Sequence, residues 1–234
     1  MKKSSLVVAI DGPGSSGKGT LGKLLAEKLG CTFIDTGAMY RALAVEALRR
    51  GLSPQDEQPL EQLARRSEIR FSRSPEGDTW PSRITIDDRD VTEQIRTPRI
   101  DMASSRISAY PVVHRIMVEK QQELAREGGV VMEGRDIGTV VLPDADVKFF
   151  LTASAKERAR RRYRQMQGWG RETDLEKLEE QLSRRDKNDS RRQVAPLRRA
   201  EDAVVIDTTE LSIEQVLERM LQHLPSAASA QSTK

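Results

Sequence analysis

Lys18 closes a glycine-rich run, Gly12-Pro13-Gly14-Ser15-Ser16-Gly17, and is followed by Gly19 and Thr20. Glycines at these spacings let the backbone turn so that several N–H groups point into one hollow. The lysine adds a full charge that can reach the outer phosphates of a nucleotide. The chemistry on offer is polyphosphate binding and phosphoryl transfer. The hydroxyl that commonly follows such a lysine comes one residue later, at Thr20, which leaves a direct metal ligand from the loop as an open question.

Two further clusters have the composition of ligand sites. In Thr36-Gly37-Ala38-Met39-Tyr40-Arg41, Thr36 can cap a helix whose first turns carry Tyr40 and Arg41, a second anion site facing the first. Tyr40 could equally be a core residue and Arg41 a plain surface charge. Glu133-Gly134-Arg135-Asp136-Ile137-Gly138-Thr139 follows an apolar run, and two acids around an arginine at a strand's carboxyl end suit a bound ligand. Between Lys156 and Arg199 there are 15 Lys/Arg against 8 Asp/Glu, a local +7 in a chain of net charge +3. A solvated helix face accounts for most of these arginines. The low apolar content and the sequestered charge also fit a hinged cationic lid over phosphates.

Such groups need a scaffold, and the pattern supplies one. Val7–Asp11, Thr32–Asp35, Val130–Glu133, Asp146–Leu151 and Ala203–Asp207 read as five short buried strands separated by helical periodicity. That is an α/β fold with a five-stranded parallel sheet flanked by helices. Leu21, Leu24, Leu25 and Leu29 form a helix that Gly30 ends. Residues 68–92 change to alternation, with turn chemistry at Ser74-Pro75-Glu76-Gly77-Asp78, and read as a small inserted antiparallel sheet. Thr97-Pro98 and Tyr110-Pro111 open two helices, the second carrying His114 and Arg115. Thr173-Asp174-Leu175-Glu176 has capping-box spacing, and Ser212-Ile213-Glu214-Gln215 caps the last helix.

Composition excludes several classes. Cys31 is the single cysteine, so no internal disulfide is possible and a reducing compartment is expected. Met1-Lys2-Lys3 before Leu6–Ile10 faintly resembles a signal peptide, but the apolar run is short and leads straight into the glycine loop. No run approaches the roughly 20 apolar residues of a membrane span. A cytoplasmic protein without a membrane partner is expected.

Taken together, Asp11 to Thr20, Asp35 to Arg41, Glu133 to Thr139, and Arg185-Asp186-Lys187-Asn188-Asp189-Ser190-Arg191-Arg192 before Ala195-Pro196-Leu197 resemble the bacterial cytidylate (CMP/dCMP) kinases. The likeness spans roughly residues 5 to 224 and includes the inserted sheet. It implies a P-loop core (1–36, 106–155 and 193–225), a monophosphate-binding subdomain (37–105), a helical lid (156–192) and a disordered tail (226–234). It implies that Gly12 to Thr20 hold the phosphates of ATP. Thr36, Arg41 and Arg135 hold the CMP phosphate, with Tyr40 beside them, and Ser105 and Asp136 read the cytosine edge. Arg185 and Asp189 reach the ribose and Arg192 the phosphates. Arg161 or Arg162 stabilises the moving phosphoryl group, together with Lys18 and Arg135. Glu133 holds Mg²⁺ through water, with Thr20 as a second candidate. The family pattern places a base-contacting arginine after the Tyr-Pro step; here His114 stands there, with Arg115 next.

The expected reaction is MgATP + CMP (or dCMP) → MgADP + CDP (or dCDP), by a monomer with no nucleic-acid partner. Two other readings compete. One is a P-loop kinase for UMP, AMP, shikimate or a similar acceptor. The other is an ATP-gated nucleic-acid binder using the basic stretch. Binders of single strands interleave aromatics with charge, and only Tyr163 and Trp169 are available there.

Overall fold

In a computed structural model, residues 5–72, 83–170 and 172–225 are described. The turn expected at Ser74–Asp78 and the tail 226–234 lie outside them. Five parallel strands form the main sheet: β1 (Val7–Asp11), β2 (Thr32–Asp35), β6 (Val130–Gly134), β7 (Val147–Thr152) and β8 (Val204–Asp207). Their order is β2-β6-β1-β7-β8, with Val8 opposite Val131 on one side and Val147 on the other. β1 is thus central, and the loops leaving β1 and β6 open side by side at the carboxyl edge. An open α/β sheet binds its ligands at such a place.

Each face of the sheet carries its own core. On one face α1 (Lys18–Leu29) and α8 (Ile213–Gln222) pack Leu21, Leu25, Val216 and Met220 against Ile10, Phe33 and Phe149. On the other, α2 (Thr36–Arg49) and α5 (Pro111–Ala125) pack Met39, Leu43, Val113 and Met117 with Ile34 and Met132. Gly30, with φ 64°, ends α1 as expected, and Ser212 with Gln215 forms a complete capping box on α8.

α3 (Glu57–Arg66) leads into a second, antiparallel sheet of β3 (Ile69–Ser72), β4 (Arg83–Ile86) and β5 (Arg89–Asp90). Asp87 and Asp88 take φ of 49° and 61°, the tight turn between β4 and β5. Aspartate tolerates that left-handed region better than most side chains do. Sequence alternation found the two longer strands but not the two-residue β5. α4 (Pro98–Ile107) follows; Thr97 caps it by accepting from the Ile100 N–H.

The segment expected to form a lid is a hairpin of α6 (Ala155–Gly168) and α7 (Leu175–Arg191). Among the described residues its buried apolar side chains are Ala159, Leu178 and Leu182. This apolar core is small beside the two that flank the sheet. Two capping expectations need correction. Asp35, not Thr36, is the cap of α2, accepting from the Ala38 N–H at 2.8 Å. At α7 there is no capping box with Thr173; Asp174 alone accepts from the Lys177 N–H.

Candidate active site

The glycine loop joins β1 to α1. Gly12 has φ 150°, and a Cβ there would lie 2.0 Å from the Leu151 carbonyl oxygen, so only glycine fits against β7. Gly17, with φ 98°, precedes α1 and aims the helix's first N–H groups at the loop. Gly12, Pro13 and Ser16 are buried beneath the loop, while Gly14, Ser15, Gly17, Gly19 and Thr20 line the cleft. Lys18 is buried and donates to the Pro13 carbonyl at 2.9 Å. Its ammonium is 3.8 Å from the Glu133 carboxylate at the end of β6. Burial, with Arg135 close by, lowers the Lys18 pKa to about 8, and Glu133, Asp11 and Asp35 hold it from falling further. Burial and Asp35 push Glu133 upward.

Arginines from the lid side grip this loop by its backbone. Arg158 donates to the carbonyls of Gly14 and Ala153 and pairs with Asp186. Arg161 bonds the Thr208 hydroxyl at 2.9 Å and the Thr208 carbonyl at 2.6 Å, beside the loop. Arg162, one residue on, pairs instead with Asp101 of α4 at 3.0 Å. The two lid arginines that sequence reasoning left equivalent thus face different groups. Nothing in the sequence pointed to the contacts that Arg158, Asp186, Thr208 and Asp101 make, because each acts through a partner distant along the chain.

The residues expected to form a second anion site come together at the start of α2. Arg41 pairs with Asp35 at 2.9 Å, and the Thr36 hydroxyl donates to the Glu133 carbonyl at 2.7 Å, tying α2 to β6. Burial opposes the charge on Arg41, but Asp35, Asp101 and Glu133 outweigh it and raise its pKa. Tyr40 serves both sequence readings: it packs on the core and lines the cleft.

Asp189 of α7 collects the remaining arginines. Arg135 reaches it at 3.0 Å, Arg192 at 2.8 Å and Arg185 at 3.9 Å. Burial pushes Asp189 up, yet Arg135, Arg192 and Arg185 together bring it below the usual carboxylate range. Arg192 also bonds the Ser105 hydroxyl at 2.8 Å, joining α4 to the end of α7. On the inner wall, Asp136 meets His114 at 2.9 Å. Arg115, the alternative to His114, is exposed and does not line the cleft; a helix turns it about 100° away from its neighbour.

Asp136 is held by a device the sequence did not disclose. The Asp11 carboxylate accepts the N–H groups of Ile137 at 2.8 Å and Gly138 at 2.7 Å. Those residues begin a π-helical turn, Ile137–Val141. Burial raises the Asp11 pKa to about 6 even though both N–H bonds work the other way.

Lys18, Arg41, His114, Glu133, Arg135, Asp136, Arg161, Arg162, Arg185, Asp189 and Arg192 line one cleft of about 1030 Å³. That is at the upper end of the roughly 300–1,000 Å³ of small-molecule pockets. Ile213 and Val216 also line it, as do Ser104, His114 and Asp136.

The model of a family described as cytidylate kinase matches residues 8–226. The chain belongs to the cytidylate kinase family. A cytidylate kinase of Geobacter sulfurreducens is 51% identical over 218 residues, covering 93% of this chain and 92% of that protein. One of Bacillus pumilus is 47% identical over 219 residues, covering 94% and 96%. As a cytidylate kinase family member this chain is a phosphotransferase with ATP and CMP or dCMP as substrates. Among solved structures, an uncharacterized protein from Eubacterium ventriosum aligns with TM-score 0.50 at 12% identity, covering 94% of this chain and 98% of that one. That likeness concerns the fold alone. Among the described residues no helix is long and apolar enough to cross a membrane.

Proposed function

We propose that this chain moves the γ-phosphoryl group of MgATP onto the phosphate of CMP or dCMP, with the residues above in the following roles. The observation that carries the reading is the convergence of Lys18, Arg41, Arg135, Arg185 and Arg192 on one cleft, with the Asp136–His114 pair behind them. The loop Gly12–Gly17 and the start of α1 hold the ATP phosphates through backbone N–H groups, with Ser15, Ser16, Gly19 and Thr20 around them. Lys18 neutralises the outer phosphates, and Arg161 fixes the loop to Thr208.

Thr36, Tyr40, Arg41 and Arg135 receive the CMP phosphate, and Arg192 joins them from α7. Arg185 and Asp189 meet the ribose. Ser105, His114 and Asp136 meet the base: an ionised carboxylate accepts from the cytosine amino group and repels the carbonyl that uracil has instead. The acceptor phosphate is mostly dianionic near pH 7, because its second pKa is about 6, so no general base is needed. The difficulty is to bring two polyanions together and stabilise spread negative charge in line, which is work for fixed cations.

Mg²⁺ fits the donors present. Among the described residues no group of three acidic, histidine or cysteine side chains forms a metal cage. A single buried carboxylate beside a phosphate loop is the setting in which Mg²⁺ takes most of its ligands from phosphates and water. Glu133 would hold it, with the exposed Thr20 hydroxyl as a second donor. When bound, the ion neutralises charge on the β- and γ-phosphates.

Residues 156–192 act as a lid over a core of 1–36, 106–155 and 193–225, and 37–105 forms the monophosphate-binding part. Closure excludes water, which competes with CMP for the phosphoryl group. The enzyme works as a cytoplasmic monomer. Asp136→Ala tests the base assignment. The kcat/KM ratio of CMP to UMP should fall by at least about tenfold, as expected when a site loses a polar group built for one partner. An unchanged ratio would remove Asp136 from base reading.

A further inference from the structure

We infer that Arg158 is a positioning residue for the donor nucleotide: it sets the direction of one peptide of the glycine loop and, through it, the grip on the ATP phosphates. The inference deepens the proposed function and rests on its assignment of Gly12 to Thr20 to those phosphates. Arg158 is 5% exposed on α6 and is not among the residues that line the cleft, so it acts from behind the loop. Its guanidinium spans three elements. Nε donates to the Ala153 carbonyl, just past β7, at 3.0 Å. One terminal nitrogen donates to the Gly14 carbonyl at 3.2 Å, and the other pairs with Asp186 of α7.

The Gly14 carbonyl and the Ser15 N–H belong to one peptide unit. In a trans peptide the two point in opposite directions. A guanidinium that holds the carbonyl toward α6 therefore turns the Ser15 N–H the other way, and Ser15 lines the cleft. Among the described residues no group accepts that N–H. Ser15 also has φ 61°, a left-handed backbone that costs any residue but glycine some strain. Such a backbone persists only where its surroundings hold it, and the bond to the preceding carbonyl is one such hold.

Neighbouring peptides are held in a similar way. Lys18 bonds the Pro13 carbonyl at 2.9 Å and the Thr208 hydroxyl bonds the Ser16 carbonyl at 3.2 Å. Lys18 and Thr208 both line the cleft, where a ligand can draw on them directly. Arg158 is the donor placed behind the loop. Its charge is matched by Asp186, so its effect on a phosphate runs through the Gly14 peptide rather than through bare attraction.

The test measures the dissociation constants of MgADP and of CMP by calorimetric titration of the full-length native enzyme, Arg158→Lys and Asp186→Asn. ADP presents its phosphates to the loop without a transfer step. Lysine keeps the charge but lacks the planar fork that meets three acceptors at once. Its ammonium should follow Asp186, the one charged acceptor, and release the Gly14 carbonyl. In Arg158→Lys the MgADP constant should rise about tenfold, the worth of one charged hydrogen bond, while the CMP constant stays close to native. In Asp186→Asn the amide oxygen still accepts from Arg158, so both constants should stay close to native. Native MgADP affinity in Arg158→Lys, or equal losses for MgADP and CMP, would overturn the inference. So would the same MgADP loss in Asp186→Asn, which would place the effect in the α6–α7 pair instead of the loop. If the lysine protein binds neither ligand, Arg158→Gln is the second variant and must show the same split. A native enzyme that binds neither MgATP nor MgADP would overturn the proposed function, and this inference with it.

Discussion

Arg162 of the lid helix α6 and Asp101 of α4 are paired at 3.0 Å across the cleft, each about one quarter exposed. Arg162 also lies 5.5 Å from the Trp169 ring centroid, which restricts where its guanidinium can swing. A pair this exposed contributes under about 1 kcal/mol to stability. Its significance is positional: the lid arginine is held over the cleft rather than left in solvent. Arg162→Ala should therefore lower kcat by about 100-fold or more, the usual loss when a preorganised charge is removed from a transition state. The KM for CMP and the melting temperature should change little. A raised KM with unchanged kcat would assign Arg162 to ground-state binding instead.

Asp11 offers a second test, because it links β1 to the segment that carries Asp136. Asp11→Ala leaves the buried Ile137 and Gly138 N–H groups without an acceptor. Each such group costs about 1–3 kcal/mol, partly offset by relief of a buried carboxylate, so a net loss of about 2 kcal/mol is expected in denaturant unfolding. The CMP-to-UMP ratio should fall as well, since Asp136 loses its anchor. A stable variant with native selectivity would show that the π-helical turn holds Asp136 without Asp11.

Stability should also fall in acid through Glu46. Its side chain is buried on α2, bonded by Arg49 at 2.6 and 2.7 Å and by Arg50 at 2.6 Å. The Arg49 bond, against the cost of burial and with help from Arg50, lowers the Glu46 pKa from 4.5 to about 2. A carboxylate with a depressed folded pKa stabilises the fold above its unfolded pKa, and that contribution is lost as pH falls toward the folded value. Glu46→Gln should cost about 2 kcal/mol near pH 7 and progressively less below about pH 4.5, after allowance for the half-exposed arginines. Equal losses at pH 7 and pH 3 would contradict the ion-pair explanation.

Much of this could be read from the sequence because the relevant signals are local. The glycine spacing marked the turn between β1 and α1, the five apolar runs marked the parallel sheet, and Glu133–Asp136 fell at a strand's carboxyl end as expected. What escaped notice depends on contacts between distant residues. Asp11 read as the end of a strand, and only folding brings it to Ile137 and Gly138. Arg158 read as one of several lid charges, yet it grips the Gly14 carbonyl. Periodicity could not choose between His114 and Arg115, since adjacent helical residues differ only in direction; packing of α5 turned His114 inward.

The most direct measurement is an acceptor panel. Purified protein is mixed with MgATP and, separately, CMP, dCMP, UMP, AMP or GMP, and ADP formation is followed against a control without acceptor. Strong preference for CMP and dCMP over every other acceptor, with little hydrolysis in the control, is the expected result. Equal or better use of UMP, or ADP release that is indifferent to the acceptor, would contradict cytidine monophosphate kinase activity as the function of this cleft.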